Sequence, residues 1–323
     1  MTGAPDGSGL PDGSGLPDAV TSADAVTSAD GSPRRLSSAD WSRVMALTDE
    51  ECLAAWHVLG LGRPPADLEL SVPDTVVEAA VEYAIALDQL QHRGLVLDAG
   101  LGPGLTAALR ALGRGSIQLE LRLSDGLIVL GAVDGDRGGL LVIDDAHDPG
   151  LYLLPVPGPV VAPTMVELAG PLNPGWVMPI TIPADVLDEA RAHVEDGSWW
   201  TLAGLLVERG VDQLAAQSLA LMCTDISSGG QVEVRSVVRS VVPDGADDAT
   251  DETVPDDDTT DDAADGTVHP GQWALGFHRG SAGDYLQVRR QGDAGRTDVT
   301  IAPITAADLL VRLHELIASL PTS

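Results

Sequence analysis

Lysine is absent from this chain. All 18 basic residues are arginines, set against 49 acidic residues, and the formal net charge is −31. Neutralising the phosphates of DNA or RNA takes a basic patch, and an anionic membrane face takes a polybasic run beside it. Neither occurs, so nucleic acid and bilayer are set aside as partners. Cysteine is nearly absent too: Cys52 and Cys223 stand alone, without CxxC spacing and without a neighbouring histidine. Buried, reduced thiols in a reducing cytosol are the expectation. No apolar run reaches the roughly 20 residues that span a bilayer. The longest, Leu151 to Pro163, is broken by Pro155, Pro157 and Pro159. The first forty residues lack the basic and apolar regions of a secretory signal, so export by that route is not expected.

What is present is ample material for a core, with 44% hydrophobic residues over 323 positions. Residues 1–40 are a low-complexity tail in which PDGSGL is repeated from Pro5 and Pro11, and DAVTSA from Asp18 and Asp24. A second biased stretch, 243–270, carries 11 acids between Asp244 and Asp265 and no base. It has too few large apolar side chains to offset the entropy of ordering, and reads as a disordered insertion. A single domain over 41–323, interrupted by that insertion, is the expected organisation.

Periodicity places the elements. Thr48 with Glu51 makes a capping-box pattern ahead of Leu53, Trp56 and Leu59, with Gly60 as the stop. Thr75 with Glu78 repeats the device before Val76, Ala80, Tyr83, Leu87 and Leu90, and a third helix is expected over Leu105 to Leu112. The period then changes to two. Ile117 to Leu123, Leu127 to Val133 and Leu140 to Ile143 read as strands, joined by Ser124-Asp125-Gly126 and Asp134-Gly135-Asp136 turns, which predicts antiparallel hairpins.

The second half repeats the order. A strand over Trp176 to Ile182 leads into a helix opened by Pro183, followed by helices bracketed by Ser198 and Gly210 and over Val211 to Met222. Strands are predicted over Gln231 to Val242, Trp273 to His278, Tyr285 to Arg290 and Asp298 to Ile301. Thr305 and Asp308 then cap a last helix with an apolar face of Leu309, Leu310, Leu313, Leu316, Ile317 and Leu320. Helices followed by a meander, twice over, predict an α+β class with a quasi-duplicated domain and one extended antiparallel sheet.

Catalytic patterns are weak. The run Asp98-Ala-Gly100-Leu-Gly102-Pro-Gly104 resembles the D-x-G-x-G-x-G loop of S-adenosylmethionine-dependent methyltransferases, with Glu120 as a candidate ribose acid. That is the alternative function. A doubly wound sheet, however, needs a crossover after each strand, and Ile117 to Leu123 runs directly into a hairpin. Asp134-x-Asp136-x-x-Gly139 mimics part of a calcium loop but sits at a hairpin turn, and His314-Glu315 lacks a second zinc ligand because Ala318 stands there. No G-x-S-x-G elbow is present. No enzyme, no cofactor and no metal are expected.

The order of segments resembles the EspG family, the chaperones associated with ESX (type VII) secretion in actinobacteria. The resemblance lies in Leu53-Ala-Ala-Trp56-His-Val-Leu59-Gly-Leu61-Gly-Arg-Pro64, Leu68-Glu-Leu70-Ser-Val72-Pro73, Arg93-Gly94-Leu95, Leu105 to Arg114, and Leu119-Glu-Leu121-Arg122. It continues through Gly283-Asp-Tyr285-Leu286-Gln-Val-Arg289-Arg290 and Val299-Thr-Ile301-Ala-Pro303 to the last helix, covering roughly Thr48 to Leu320. It implies a quasi-two-fold α+β domain with a central twisted antiparallel sheet, flanking helices and a C-terminal helical bundle. It further implies a cytoplasmic chaperone that binds the apolar tip of a PPE protein within a PE/PPE pair and keeps it soluble until export. The candidate contacts are the Ser124-Asp125-Gly126 turn with Leu127, and Arg209 and Gln217 on the later helices.

Overall fold

The computed structural model describes residues 43–65, 68, 70, 73, 75–144, 150–192, 199–223, 225–237, 268–269, 274–291 and 296–320. The 1–40 tail lies outside them, as does the acidic insertion apart from Val268 and His269.

Local hydrogen bonding starts the first half where the spacing predicts. After a short β1 (Met45–Leu47), the Glu51 amide donates to Thr48 Oγ1 at 3.2 Å and the Thr48 amide donates to Glu51 Oε2 at 3.0 Å, which starts α1 (Asp49–Val58). A cap of this kind is worth about 1 kcal/mol. The same buried carboxylate accepts from the Arg93 guanidinium at 2.6 Å, fixing the end of α2 (Val76–His92) against α1. A two-stranded hairpin, β2 (Val96–Leu97) and β3 (Gly100–Leu101), leads to α3 (Pro103–Arg114), with Pro103 in the first turn, where its missing amide donor is harmless. Then come β4 (Ile117–Leu123), β5 (Leu127–Asp134), β6 (Arg137–Asp144), β7 (Leu151–Pro157) and α4 (Val161–Ala169).

The second half runs through the same series: β8 (Ile180–Pro183), α5 (Ala184–Ala192), α6 (Trp199–Glu208), α7 (Gln213–Met222), β9 (Ser228–Val237), β11 (Ala274–Gly280), β12 (Gly283–Gln291), β13 (Thr297–Pro303) and α8 (Ala306–Ser319), with β10 (Val268–His269) paired to β9. The sheet order is β1-β7-β6-β5-β4-β9-β11-β12-β13-β8, and every strand pair is antiparallel. The halves therefore meet at β4 and β9, where Glu120 lies opposite Glu233, and an approximate two-fold axis runs between them. The outermost strands have three and four residues, and β8 ends in Pro183; short, proline-stopped edges resist further pairing.

Alternation with period two divides the sheet into two faces. Leu119, Leu121, Val232, Val234, Leu275 and Leu286 point to one side, where Met165 and Leu168 of α4 and Leu309 and Leu313 of α8 cover them. Each fully buried leucine contributes about 1.5–3 kcal/mol of hydrophobic stabilisation. On the other face α1, α2 and α3 cover the first half and α5, α6 and α7 the second. α3 crosses β6 at backbone contact: a Cβ on Gly139 would lie 2.5 Å from the Ala108 carbonyl oxygen.

Several expectations change. The Asp98–Gly104 run forms the β2–β3 turn and the start of α3 beside an antiparallel sheet, so the parallel cofactor cradle of a methyltransferase does not form. The strand expected from Trp176 begins only at Ile180. β7 and α4 were not anticipated. In β7 the prolines are tolerated because β1 pairs only with Leu151 to Leu153, leaving Pro155 facing no partner on that side. The helical group of the second half, α5–α7, precedes the last four long strands, while α8 packs with α4 on the opposite face.

Candidate partner-binding cleft

Next to the two-fold axis the sequence repeats itself. Gln118-Leu-Glu120-Leu-Arg122 on β4 and Gln231-Val-Glu233-Val-Arg235 on β9 carry the same polar residues in the same order, and the alternation sends all six to the face shared with α1–α3 and α5–α7. Two glutamates opposite each other would repel. Here the arginines neutralise them: Glu120, 5% exposed, pairs with Arg122 and with Arg235 at 3.1 Å, while Glu233 takes Arg235 at 2.9 Å and the Gln231 amide at 2.6 Å. The result is a charge-balanced polar strip across the middle of the sheet.

The helices flanking this strip break the symmetry. α3 lies across β5, β6 and β7, whereas α5 packs on β8 and β13, and α7 on β8. The inner strands β9, β11 and β12 are left with a hollow of about 240 Å³ above them, bounded by Leu187 of α5, Leu202 of α6 and Leu219 of α7. Its floor is polar or small: Gln231, Gly276, His278 and Gln287. The corresponding space in the first half is only about 20 Å³, with Leu68 and Leu112 among the side chains that line it. A hollow with apolar walls and a few placed polar groups is the ordinary form of a binding site.

His278 supports one wall. Its Nε2 lies 3.0 Å from the Met222 carbonyl oxygen at the end of α7, so the neutral ring carries its proton there, and the ring stacks on Tyr285 at 5.6 Å. Burial pushes its pKa below the ordinary histidine value, against the raising effects of the Met222 bond and the Asp284 charge, while the Arg191 charge also lowers it. A histidine depressed in the folded state takes its proton more readily when unfolded. Stability is therefore lost as pH falls below the unfolded value of about 6.5. Thermal melts at pH 7.5 and 5.5 are expected to show a smaller acid loss for His278→Gln than for the natural chain; equal losses would remove His278 as the cause.

The buried thiols are chemically quiet. Burial pushes Cys52 up to about 12 and Cys223, on the hollow's wall, up to about 11, so neither is a thiolate at neutral pH. Among the described residues no group of three or more His, Cys, Asp or Glu is placed to hold a metal ion.

The six residues named from sequence are dispersed. The Ser124 amide donates to the Gly229 carbonyl and the Gly229 amide to Ser124 Oγ, both at 2.9 Å, so the Ser124-Asp125-Gly126 turn is tied to the start of β9, one residue from Gly230 on the hollow's wall. Leu127 is buried in the core on the opposite face. Arg209 closes α6 with an ion pair to Glu189 at 2.9 Å, and Gln217 is exposed on α7; neither lines the hollow. The residues that do, Gln231, Gly276, His278 and Gln287, were not singled out from sequence. The repeated Gln-x-Glu-x-Arg pattern was the available signal.

A duplicated α+β fold with a stretch of inner strands left open between apolar helix side chains, and floored by Gln231, Gly276, His278 and Gln287, is the shape of a partner-binding protein. The chain belongs to the EspG family, whose family model matches residues 48–249. A solved structure with the same fold is that of the type VII secretion system chaperone EspG5 of Mycobacterium tuberculosis in complex with the PE25-PPE41 dimer. The match has a TM-score of 0.61 at 14% sequence identity and covers 87% of this chain and 98% of that one, a likeness of fold. No curated protein matches the chain.

Proposed function

We propose that this chain is a cytoplasmic type VII secretion chaperone that holds the apolar tip of a PPE protein, within a PE/PPE pair, in the hollow between α5–α7 and the inner strands β9, β11 and β12. The observation that carries this reading is the broken symmetry: the second half's helices stand away from strands that their counterparts cover in the first. A secreted protein with an exposed apolar tip self-associates unless that surface is covered. Apolar walls from Leu187, Leu202 and Leu219 supply the cover, and the polar floor limits what fits. The formal charge of −31 keeps loaded chaperones apart. No helix among the described residues is long and apolar enough to cross a membrane, and protonated, unpaired thiols suit a reducing compartment. Binding without catalysis fits the quiet thiols. A single domain over 41–323 is the organisation we propose, and a sheet whose central strands come from both halves supports it.

The test is co-expression with a PE/PPE pair from the same genome. The PPE protein is expected to move from the insoluble to the soluble fraction and to elute from a sizing column with this chain. A PPE protein that stays insoluble, with no joint elution, overturns the proposal.

A further inference from the structure

We propose that the loop between α4 and β8 is a pre-formed apolar lip of the cleft, in which Trp176 and Met178 anchor the apolar tip of the secretion substrate; this rests on the chaperone reading above. Trp176 and Met178 are 72% and 76% exposed, while Val177 between them is 5% exposed. The segment, bent at Trp176 and Val177, thus buries one side chain and presents two large apolar ones to solvent.

The loop is rigidly held. The Asn173 amide donates to the buried Asp284 carboxylate at 2.6 Å, the Asp284 amide donates back to the Asn173 carbonyl at 2.8 Å, and the Gly175 amide donates to the Asp284 carbonyl at 3.2 Å. Two residues on, the Val177 amide donates to Tyr285 Oη at 3.3 Å, and that hydroxyl donates to the Ala282 carbonyl at 2.9 Å. Tyr285 is fully buried. Gly175 lies so close to its ring that a Cβ would fall 2.0 Å from Cζ, and across the gap a Cβ on Gly283 would fall 2.3 Å from Gly175 Cα. Ordering an interfacial side chain ordinarily costs about 0.5–1.5 kcal/mol on binding. In this loop folding has already fixed the backbone, so Trp176 and Met178 meet a partner with part of that cost removed. Tryptophan in such a setting is the side chain most often found to dominate an interface.

Continuity with the hollow identifies the occupant. The Tyr285 ring that clamps Gly175 stacks on His278, which forms part of the hollow's floor. On the same end of the sheet Ile226, 42% exposed, lines the hollow. Its neighbour Ser227 donates its amide to the Arg279 carbonyl at 2.9 Å, and the Arg279 guanidinium donates to the Ala169 carbonyl at the end of α4, where the loop begins. The residues that hold the lip, Asp284 and Tyr285, thus adjoin His278, and Ser227 adjoins Ile226, both of which line the hollow. On this proposal the partner's tip meets the lip as it enters the hollow.

The experiment titrates the full chain and its Trp176→Ala, Met178→Ala and double variants with a PE/PPE pair from the same genome that co-elutes with the natural chain, using Gly276→Trp as a blocked-hollow control. Each single variant is expected to bind about 30-fold more weakly, the effect of truncating an interface hot spot, with melting temperature unchanged. Gly175→Ala, which disorganises the loop but keeps Trp176, is expected to weaken binding to a similar degree. Lip variants that bind within about twofold of the natural chain while Gly276→Trp does not overturn the lip and leave the cleft standing. A natural chain with which no such pair co-elutes overturns both. Unchanged binding with a loss of self-association in Trp176→Ala assigns the lip to a second copy and also overturns it.

Discussion

Gly276→Trp is expected to abolish retention of the PPE partner while leaving the fold intact. Gly276 sits in the middle of β11 with Gln231 of β9 and Gln287 of β12 beside it, on the face opposite Leu275 and Phe277. The nearest atom to an added Cβ is Gln287 Cβ at 3.8 Å, an ordinary contact, so nothing in the backbone or the core has to move. Tryptophan also suits a strand better than glycine, which loses more entropy on folding and packs nothing. The new indole projects into the hollow of about 240 Å³ and occupies the space assigned to the partner. The expected outcome is a melting temperature equal to or above that of the natural chain, with affinity for the PE/PPE pair weakened by at least about 100-fold, equivalent to roughly 2.7 kcal/mol. Isothermal titration and a thermal melt on the same preparation check both halves. Affinity retained within about tenfold would place the partner elsewhere on the molecule.

The sequence made legible those parts of the fold that are decided within a few residues. The Thr48–Glu51 and Thr305–Asp308 boxes close reciprocally because each needs only its own first turn, and the β4–β5 and β5–β6 hairpins follow from glycine turns between alternating segments. The quasi-duplication was legible for the same reason, as a repeated order of local patterns. Where tertiary contacts decide, local patterns misled. Val76 and Ala80 were assigned to the packed stripe of α2, yet both are exposed and the helix packs through Ala86 and Leu90. Trp176 and Met178 alternate with apolar neighbours as a strand would, but Asp284 and Tyr285 hold that segment as a loop. The hollow was illegible because it is a property of where α5–α7 settle, on β8 and β13 in preference to the inner strands, and no helical or strand period encodes that choice. One residue of its floor, Gln231, nonetheless opens a segment that repeats the pattern beginning at Gln118.

That repeated strip carries the second large effect. The two glutamates have the same sequence context, yet their surroundings differ: Glu120 is buried and draws both Arg122 and Arg235, whereas Glu233 is half-buried and shares Arg235 with the Gln231 amide. Removing one partner of a buried ion pair is costly because the remaining charge has lost both water and counter-ion. Arg235 and Arg122 keep some access to solvent, which places Glu120→Ala at the lower end of that range, about 3 kcal/mol. For a domain of this size that corresponds to a fall of roughly 6–12 °C in melting temperature. Glu233→Ala removes a carboxylate that water already screens and leaves Arg235 on Glu120, so a loss of about 1 kcal/mol is expected. The difference is the informative quantity. If the two halves were equivalent in energy as they are in sequence, the two substitutions would cost the same. A gap of about 2 kcal/mol in urea unfolding, with unchanged m values, would show that the strip is anchored on the β4 side. Equal losses would mean that the arginines redistribute freely between the two carboxylates and that Glu120 has no privileged place at the axis.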